Sequence, residues 1–308
     1  MKSKSLKKVS LSDANLLLTI TIVVFFLMYI GAMIFEGGGF LKPQTFFNIL
    51  NANGALIITA CGLSLVMITG SIDISVGGVV ALVSMCCAVY LDFKGGNVFV
   101  SLLIALAIGL GFGLVQGFLV AYLDIQPFIV TLAGMFFARG MTSIVHTDPF
   151  NVQNEAFVKL KDTRVIVPGM GSVNRIGKYV NAYVEIGVIV AILIVVIMFV
   201  MLRWTKLGRS FYAVGGNRQS ALMLGINVKK TRFLAHLLSG LLAGIAGCLY
   251  AGYLGSLYPS TFKFMKSIEI LVIVVLGGMG SMLGSVLSAT VLTALPEALR
   301  AFSDYRMV

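Results

Sequence analysis

The chain has 308 residues, of which 58% are hydrophobic and 11% charged, with a mean hydropathy of +1.00. A soluble domain carries roughly 25% charged residues, so this composition excludes an ordinary water-facing surface and points to an integral membrane protein. The net charge of +11 lies in short basic blocks between apolar runs, where topology determinants belong, and leaves no solvated basic domain to hold a nucleic acid.

Residues 1–13 form a basic tail, with Lys2, Lys4, Lys7 and Lys8 ahead of Asp13. The apolar run that follows, of about 22 residues, is too long for a signal-peptide core and has no small-x-small cleavage site, so it reads as a retained first span. Residues 14–308 then form one transmembrane domain. It contains nine apolar segments, at about 14–35, 46–69, 78–92, 97–122, 126–145, 182–202, 233–254, 267–276 and 282–298. Segments 78–92 and 267–276 are too short for a standard span of about 20 residues, and each borders a glycine-rich break. The fold expected is all-α: a polytopic bundle of about 8–10 membrane segments with glycine-broken helices.

Lysine and arginine set the orientation. The basic tail places the N-terminus in the cytoplasm. Alternation then puts loop 203–232 on the same side, and this loop carries Arg203, Lys206, Arg209, Arg218, Lys229, Lys230 and Arg232 with no acid. Loop 146–181, of mixed charge, lies outside. Nine segments leave the C-terminus outside, and the ending "ALRAFSDYRMV" reads like the lead-in to a further span after residue 308. Gly109, Gly113 and Gly117 recur every four residues, as do Gly240 and Gly244. Such bare faces let two helices approach closely in lipid.

The stretch "GSIDISVGG", Gly70–Gly78, interrupts this pattern with a carboxylate. "LVMITGSIDISVGGVVALVSM" (Leu65–Met85) can be laid over "LVIVVLGGMGSMLGSVLSATV" (Leu271–Val291). Both have an apolar run, a glycine-serine break and a small-residue-rich resumption. Paired breaks in two halves point to a transport pathway. The candidate pathway or helix-break residues are Gly70, Asp73, Ser75, Gly77, Gly277, Gly278 and Gly280. Asp73 or Ser75 can cap the helix that restarts there. The rival role for Asp73 is cargo contact, as for other ionisable groups in membranes.

Other polar groups carry less. Cys61, Cys86, Cys87 and Cys248 lack metal-ligand spacing and read as small buried hydrophobes. His146 and His236 fall at opposite ends of their spans without a second ligand. Glu185 reads as an interfacial residue. Tyr90, Phe136, Phe137 and Tyr250 could stack on the face of a ring-shaped cargo, but aromatics at such places more often pack between helices or face lipid. No metal site and no catalytic residue is expected. Lys230–Thr231 and Lys266–Ser267 lack the preceding glycine of a P-loop, and no G-x-x-x-x-G-K-[ST] sequence occurs in these residues.

"GSIDISVGG", "AYLDIQPFIVTLAGMFFARGMTSIV" (Ala121–Val145) and "LGRSFYAVGGNRQSALMLGINVKKTR" (Leu207–Arg232) resemble, in the same order, the permease subunits of ATP-binding cassette importers for ribose, xylose and galactose. This likeness covers about residues 14–245. The C-terminal quarter, "FMKSIEILVIVVLGGMGSMLGSVLSATVLTALPEALRAFSDYRM", is more similar to the branched-chain amino acid permeases of the same superfamily. The resemblance implies a multi-pass subunit of a bacterial inner membrane that imports a monosaccharide by alternating access, with a branched-chain amino acid as the rival cargo. It implies a second permease subunit, a cytoplasmic ATPase that binds ATP and magnesium, and an external solute-binding protein. No cofactor is then expected in this chain.

Within loop 203–232, "GGN" is followed by a helix-forming run, Gln219–Leu224, which Gly225 stops. The resemblance makes this the helix that couples the bundle to the ATPase, with Gly216, Asn217, Ala221, Gly225 and Ile226 as its candidate residues. A secondary transporter or channel without an ATPase is the alternative of another class. The lack of an intramembrane chain of His, Asp and Glu weighs against it.

Overall fold

The computed structural model describes residues 42–148, 150–173, 179–253, 256–257, 264–278 and 281–298, with scattered positions between 19 and 34. The sequence-predicted first span and the ending at 299–308 therefore lie largely outside the described residues. Within them the chain is a helical bundle. Six helices are long and apolar enough to cross a membrane.

The central helix, α1 (Pro43–Ile68), starts on a proline, where the missing N–H has no partner to lose. Every residue from Asn53 to Ile68 is buried, which marks an interior helix rather than a one-sided one. Its buried polar side chains bond back to their own helix. Asn53 Nδ2 donates to the Ile49 carbonyl at 2.6 Å, Thr59 Oγ1 to Ala55 at 2.8 Å, and Ser64 Oγ to Ala60 at 2.7 Å.

α6 (Ile186–Trp204), α9 (Val228–Tyr253) and the shorter pair α10 (Phe264–Leu276) and α11 (Met282–Ala298) pack directly on α1. α2 (Val76–Phe93) and α3 (Val98–Ala121) pack on α9 and on each other, and α4 (Pro127–Val145) packs on α2 and α3. Between α4 and α6 the chain forms β1 (Phe150–Asn151), α5 (Glu155–Lys161) and the strands β2 (Arg164–Val173) and β3 (Tyr179–Glu185). β2 and β3 pair antiparallel, from Arg164 opposite Glu185 to Val173 opposite Tyr179, with a bulge between Ile166 and Gly171. β1 pairs with β4 (Ser256–Leu257). The Asp92 carboxylate at the end of α2 clamps this region. It accepts the backbone N–H groups of Gln153 and Asn154 at 2.9–3.0 Å.

Two expectations change. Segment 78–92 is not too short: α2 has 18 residues because Gly77 and Gly78 lie inside it, not in a break. Their missing side chains serve contact. A Cβ on Gly77 would strike Ser267 of α10, and one on Gly78 would come within 3.1 Å of the Met135 carbonyl of α4. Nor is 203–232 a loop with one short helix. It contains α7 (Lys206–Gly216), α8 (Arg218–Met223) and the first turn of α9. Leu207, Phe211 and Val214 recur at helical spacing, with Phe211 and Val214 buried and Leu207 packed against the core. That spacing is the signal for α7.

The glycine rows do meet. A Cβ on Gly109 would run into the Gly240 carbonyl, one on Gly240 into the Gly109 carbonyl, and one on Gly244 would lie 2.5 Å from the Ala105 carbonyl. Gly113 faces the His236 carbonyl in the same way, at 2.8 Å. Here α3 and α9 touch backbone to backbone, which lipid-borne packing favours. Gly240→Val is therefore expected to destabilise the bundle by about 3 kcal/mol or more, since it must move backbone rather than a side chain. Gly111, on the same helix α3, has nothing near its absent Cβ. Gly111→Ala is expected to hold or raise stability by up to about 1 kcal/mol. Thermal unfolding of the two variants in detergent checks the contrast.

Candidate functional site

Both sequence-predicted breaks are present, and both turn on a left-handed glycine. At the first, α1 ends in a Schellman arrangement. Gly70 has φ +75°, its N–H bonds the Met67 carbonyl at 3.0 Å, and the Ser71 N–H bonds Val66 at 3.2 Å. Residues 71–75 then have no regular structure. Asp73 Oδ1 accepts the Ser75 N–H at 2.9 Å and the Ser75 hydroxyl at 2.6 Å, which ties the turn to the residue before α2. No side chain caps the first N–H groups of α2 itself, so neither Asp73 nor Ser75 takes the capping role that the sequence suggested. At the second break Gly278 has φ +89°. Ser281 Oγ accepts the Gly284 N–H at 3.1 Å and caps α11. Gly277 and Gly284 sit so close that a Cβ on either would enter the other's backbone. Gly280 lies outside the described residues.

In the overlay of 65–85 on 271–291, Ser75 falls on Ser281, Val76 on Met282 and Gly78 on Gly284. The two helices thus restart at matching positions, at Val76 and Met282. The left-handed glycines do not match, since Gly70 falls on Leu276. Asp73 has no counterpart among the described residues, as its partner position, 279, is outside them. Hydroxyls of Ser64 and Ser285, 2.8 Å apart, join the helix before the first break to the helix after the second.

Asp73 is 3% exposed and joined to two other helices. Through Ser75 it reaches α3, where Gln116 Nε2 donates to Ser75 Oγ at 2.9 Å. Through Oδ2 it reaches α9, where Ser239 Oγ donates at 3.4 Å. Ser239 shares one face of α9 with His236 and Arg232. His236 is buried, with Nδ1 3.0 Å from the Arg232 carbonyl and no bond to Nε2. Arg232 ends the stripe. Its Nη1 bonds Asp124 Oδ1 at 3.0 Å, and Arg218 Nη2 of α8 bonds the same oxygen at 3.1 Å. The two guanidiniums, Arg232 first, hold the Asp124 carboxyl below its usual range. Their pairing with it is complete above the ordinary value of 3.8 and is lost only as pH falls through the depressed one.

Gln116, Ser239, Arg232 and Asp124 are the members that sequence reading missed. Gln116 is the lone amide in α3, which is a usable signal. The others are ordinary polar residues until the fold brings them together. Gln116 also forms part of the wall of an otherwise apolar groove of about 870 Å³ between α2, α3 and α4, where Phe137 stands 62% exposed. Phe136 is exposed as well, whereas Tyr250 packs against the core.

The α7–α8 segment abuts the first break. A Cβ on Gly215 would enter the Ile68 carbonyl at the end of α1, and one on Gly70 would lie 3.9 Å from the Gly215 Cα. Gly216, the residue singled out by sequence, has open space instead. Asn217 Oδ1 caps α8 by accepting the N–H groups of Gln219 and Ser220 at 2.9–3.0 Å. Gly225, φ +77°, ends it. Ala221 is buried in a small cluster with Val214 and Val228, and Ile226 packs against them. These four residues shape and seat α8. Its outward surface is made by Leu222, Met223 and Leu224, which are 56%, 78% and 77% exposed.

The remaining candidates stay apart. His146 packs against Phe93 and Phe150 at 5.0 and 4.8 Å between ring centres, on the side of the bundle where β1 lies. Glu185 accompanies Asn51 at the mouth of a second apolar cavity of about 550 Å³. The four cysteines are free thiols, and no cluster of three potential metal ligands occurs among the described residues.

Known proteins share this chain's sequence over most of its length. A family model described as "Branched-chain amino acid transport system / permease component" matches residues 45–307. The fructose import permease protein FruG of Bifidobacterium longum is 33% identical, over 94% of this chain and 85% of its own. The inner membrane ABC transporter permease protein YjfF of Escherichia coli is 32% identical, over 90% and 82%. The ribose import permease protein RbsC of Escherichia coli is 32% identical, over 87% and 83%. No solved structure matches. The two likenesses seen in the sequence overlap rather than divide the chain, because the family model runs from the first described span through the C-terminal quarter. With six apolar helices of spanning length and that match, the chain is a multi-pass membrane protein and belongs to the family of transport-system permease components.

Proposed function

We propose that this chain is the permease subunit of an ATP-binding cassette importer for a monosaccharide. The cargo class rests on relatives whose names specify fructose and ribose import. The mechanism rests on one observation: the α7–α8 segment is seated against the end of α1, where Gly215 meets Ile68 beside Gly70. A push on α8 is thereby delivered to a break in the central helix. An ATPase subunit, which binds ATP and magnesium, docks on Leu222–Leu224 from the cytoplasm. The chain itself performs no hydrolysis. The basic tail and the acid-free segment 203–232 lie on that side, and the β2–β3 hairpin faces outward, where a loaded binding protein docks. A second permease subunit completes the pathway. Sugar passes beside the α2–α3–α4 groove, and movement at the two breaks opens it to one side at a time.

Two measurements follow. Leu222→Ser, Met223→Ser and Leu224→Ser combined are expected to abolish co-purification of the ATPase. They should leave the melting temperature of the permease nearly unchanged, because such exposed substitutions cost within about 0.5 kcal/mol each. Retention of the ATPase would reject this docking surface. In proteoliposomes with the ATPase and binding protein, labelled fructose or ribose is expected to enter only with ATP. Leucine uptake instead would favour the branched-chain reading that the family's description carries. Uptake without ATP or partners would favour a secondary transporter.

A further inference from the structure

We propose that Asp124 is a positioning residue of the transport cycle: it pins α8 to α9 and to the α3–α4 turn, so that the three move together. The proposal rests on the importer reading above. Three observations carry it. Asp124 is the one non-glycine residue with positive φ, +54°, among the described residues. Glycine adopts that conformation without steric cost, and a side chain kept there calls for a reason. Its Oδ1 takes both arginines, one from α8 and one from α9. Arg232 is 9% exposed at its side chain, and the segment 203–232 offers it no acid. An arginine stripped of water that far needs a carboxylate from elsewhere, and the α3–α4 turn supplies it.

The position explains what the pin transmits. Arg232 begins the α9 stripe that continues through His236 to Ser239 and Asp73 at the first break. The turn itself is drawn tight, with the Ile125 N–H on the Leu119 carbonyl at 3.2 Å. It leads into α4, a wall of the Gln116 groove. A displacement of α8 is thus shared between the break and the groove wall. The Gly215 contact alone would carry it only to the break.

An isolated exposed ion pair is worth little, so the test must separate a pin from a surface charge. Asp124→Asn keeps the size and the tolerance for positive φ and removes the charge. Two readouts are taken on the full chain. The first is amide hydrogen exchange of the permease alone. Asp124→Asn is expected to speed exchange in both 217–226 and 119–126, and Arg218→Gln in the same two segments. The second is sugar transported per ATP hydrolysed in the complete reconstituted importer. That ratio is expected to fall about fivefold or more while the ATPase still co-purifies. Asp124→Asn with Arg218→Gln together should do no further harm. Arg218→Lys, which restores a positive charge, should recover most of the ratio. Unchanged exchange would overturn the pin. Faster exchange with an unchanged ratio would overturn its role in transport. An Asp124→Asn chain that does not fold leaves Arg218→Gln against Arg218→Lys to decide by the same two readouts. If the unaltered protein takes up sugar without ATP, the importer reading fails and the transport role with it. The exchange result then still decides whether the pin exists.

Discussion

Backbone N–H and C=O groups that leave a helix inside a membrane have no water to bond, and each one left unpaired costs several kcal/mol. This bundle breaks twice, and at each break the turn answers part of that requirement from within. At Gly70 carbonyls at the end of α1 are taken by the turn itself, and Asp73 accepts the N–H of Ser75 ahead of α2. At Gly278 the serine at position 281 does the capping. Everything packed around the first break also seals it: α3 through Gln116, α9 through Ser239, α7 through Gly215. The Asp73 carboxylate at this break is buried and bonded to Ser75 and Ser239.

The glycine rows serve the same end by another route. Backbone contact between α3 and α9 fixes that pair as a stiff unit. Gln116 stands on one of these helices and Ser239 on the other, so the two bonds that hold the Asp73–Ser75 turn come from a single rigid frame. Movement at the break then means movement relative to that frame. The α7–α8 segment lies against α1 at Gly215 and is tied to the frame through Asp124, whose carboxylate Arg218 of α8 and Arg232 of α9 share.

Apolar run length was sufficient to read most of the described spans, because lipid imposes it. The segments at 97–122 and 126–145 match α3 and α4 to within a residue or so. Where the sequence misled, the cause was a residue with two physical uses. Gly77 and Gly78 look like a break and are a contact surface. Lys229, Lys230 and Arg232 look like loop and form the first turns of α9. The breaks were legible because left-handed turns favour glycine and restarted helices favour Asp or Ser. The polar stripe was not. Its members are scattered from Asp73 to Ser239, and only the fold aligns them. Likewise, Asn217, Ala221, Gly225 and Ile226 stand out by residue type because they shape α8, whereas the apolar surface next to them, Leu222–Leu224, looks like ordinary core until its exposure is known.

The inward hydrogen bonds of α1 bear on how such a chain is made. Its main packing partner, α9, begins at Val228, about 160 residues after α1 ends. At roughly 5–20 residues per second, α1 is synthesised some 10–30 s before that partner exists. A helix carrying Asn53, Thr59 and Ser64 with their polar atoms bare would have to linger at the translocon or recruit a chaperone. With these three side chains each donating to the carbonyl one turn back, α1 carries fewer bare polar groups into the bilayer while the rest of the protein is still being made, the Asn53 Oδ1 being left without a partner.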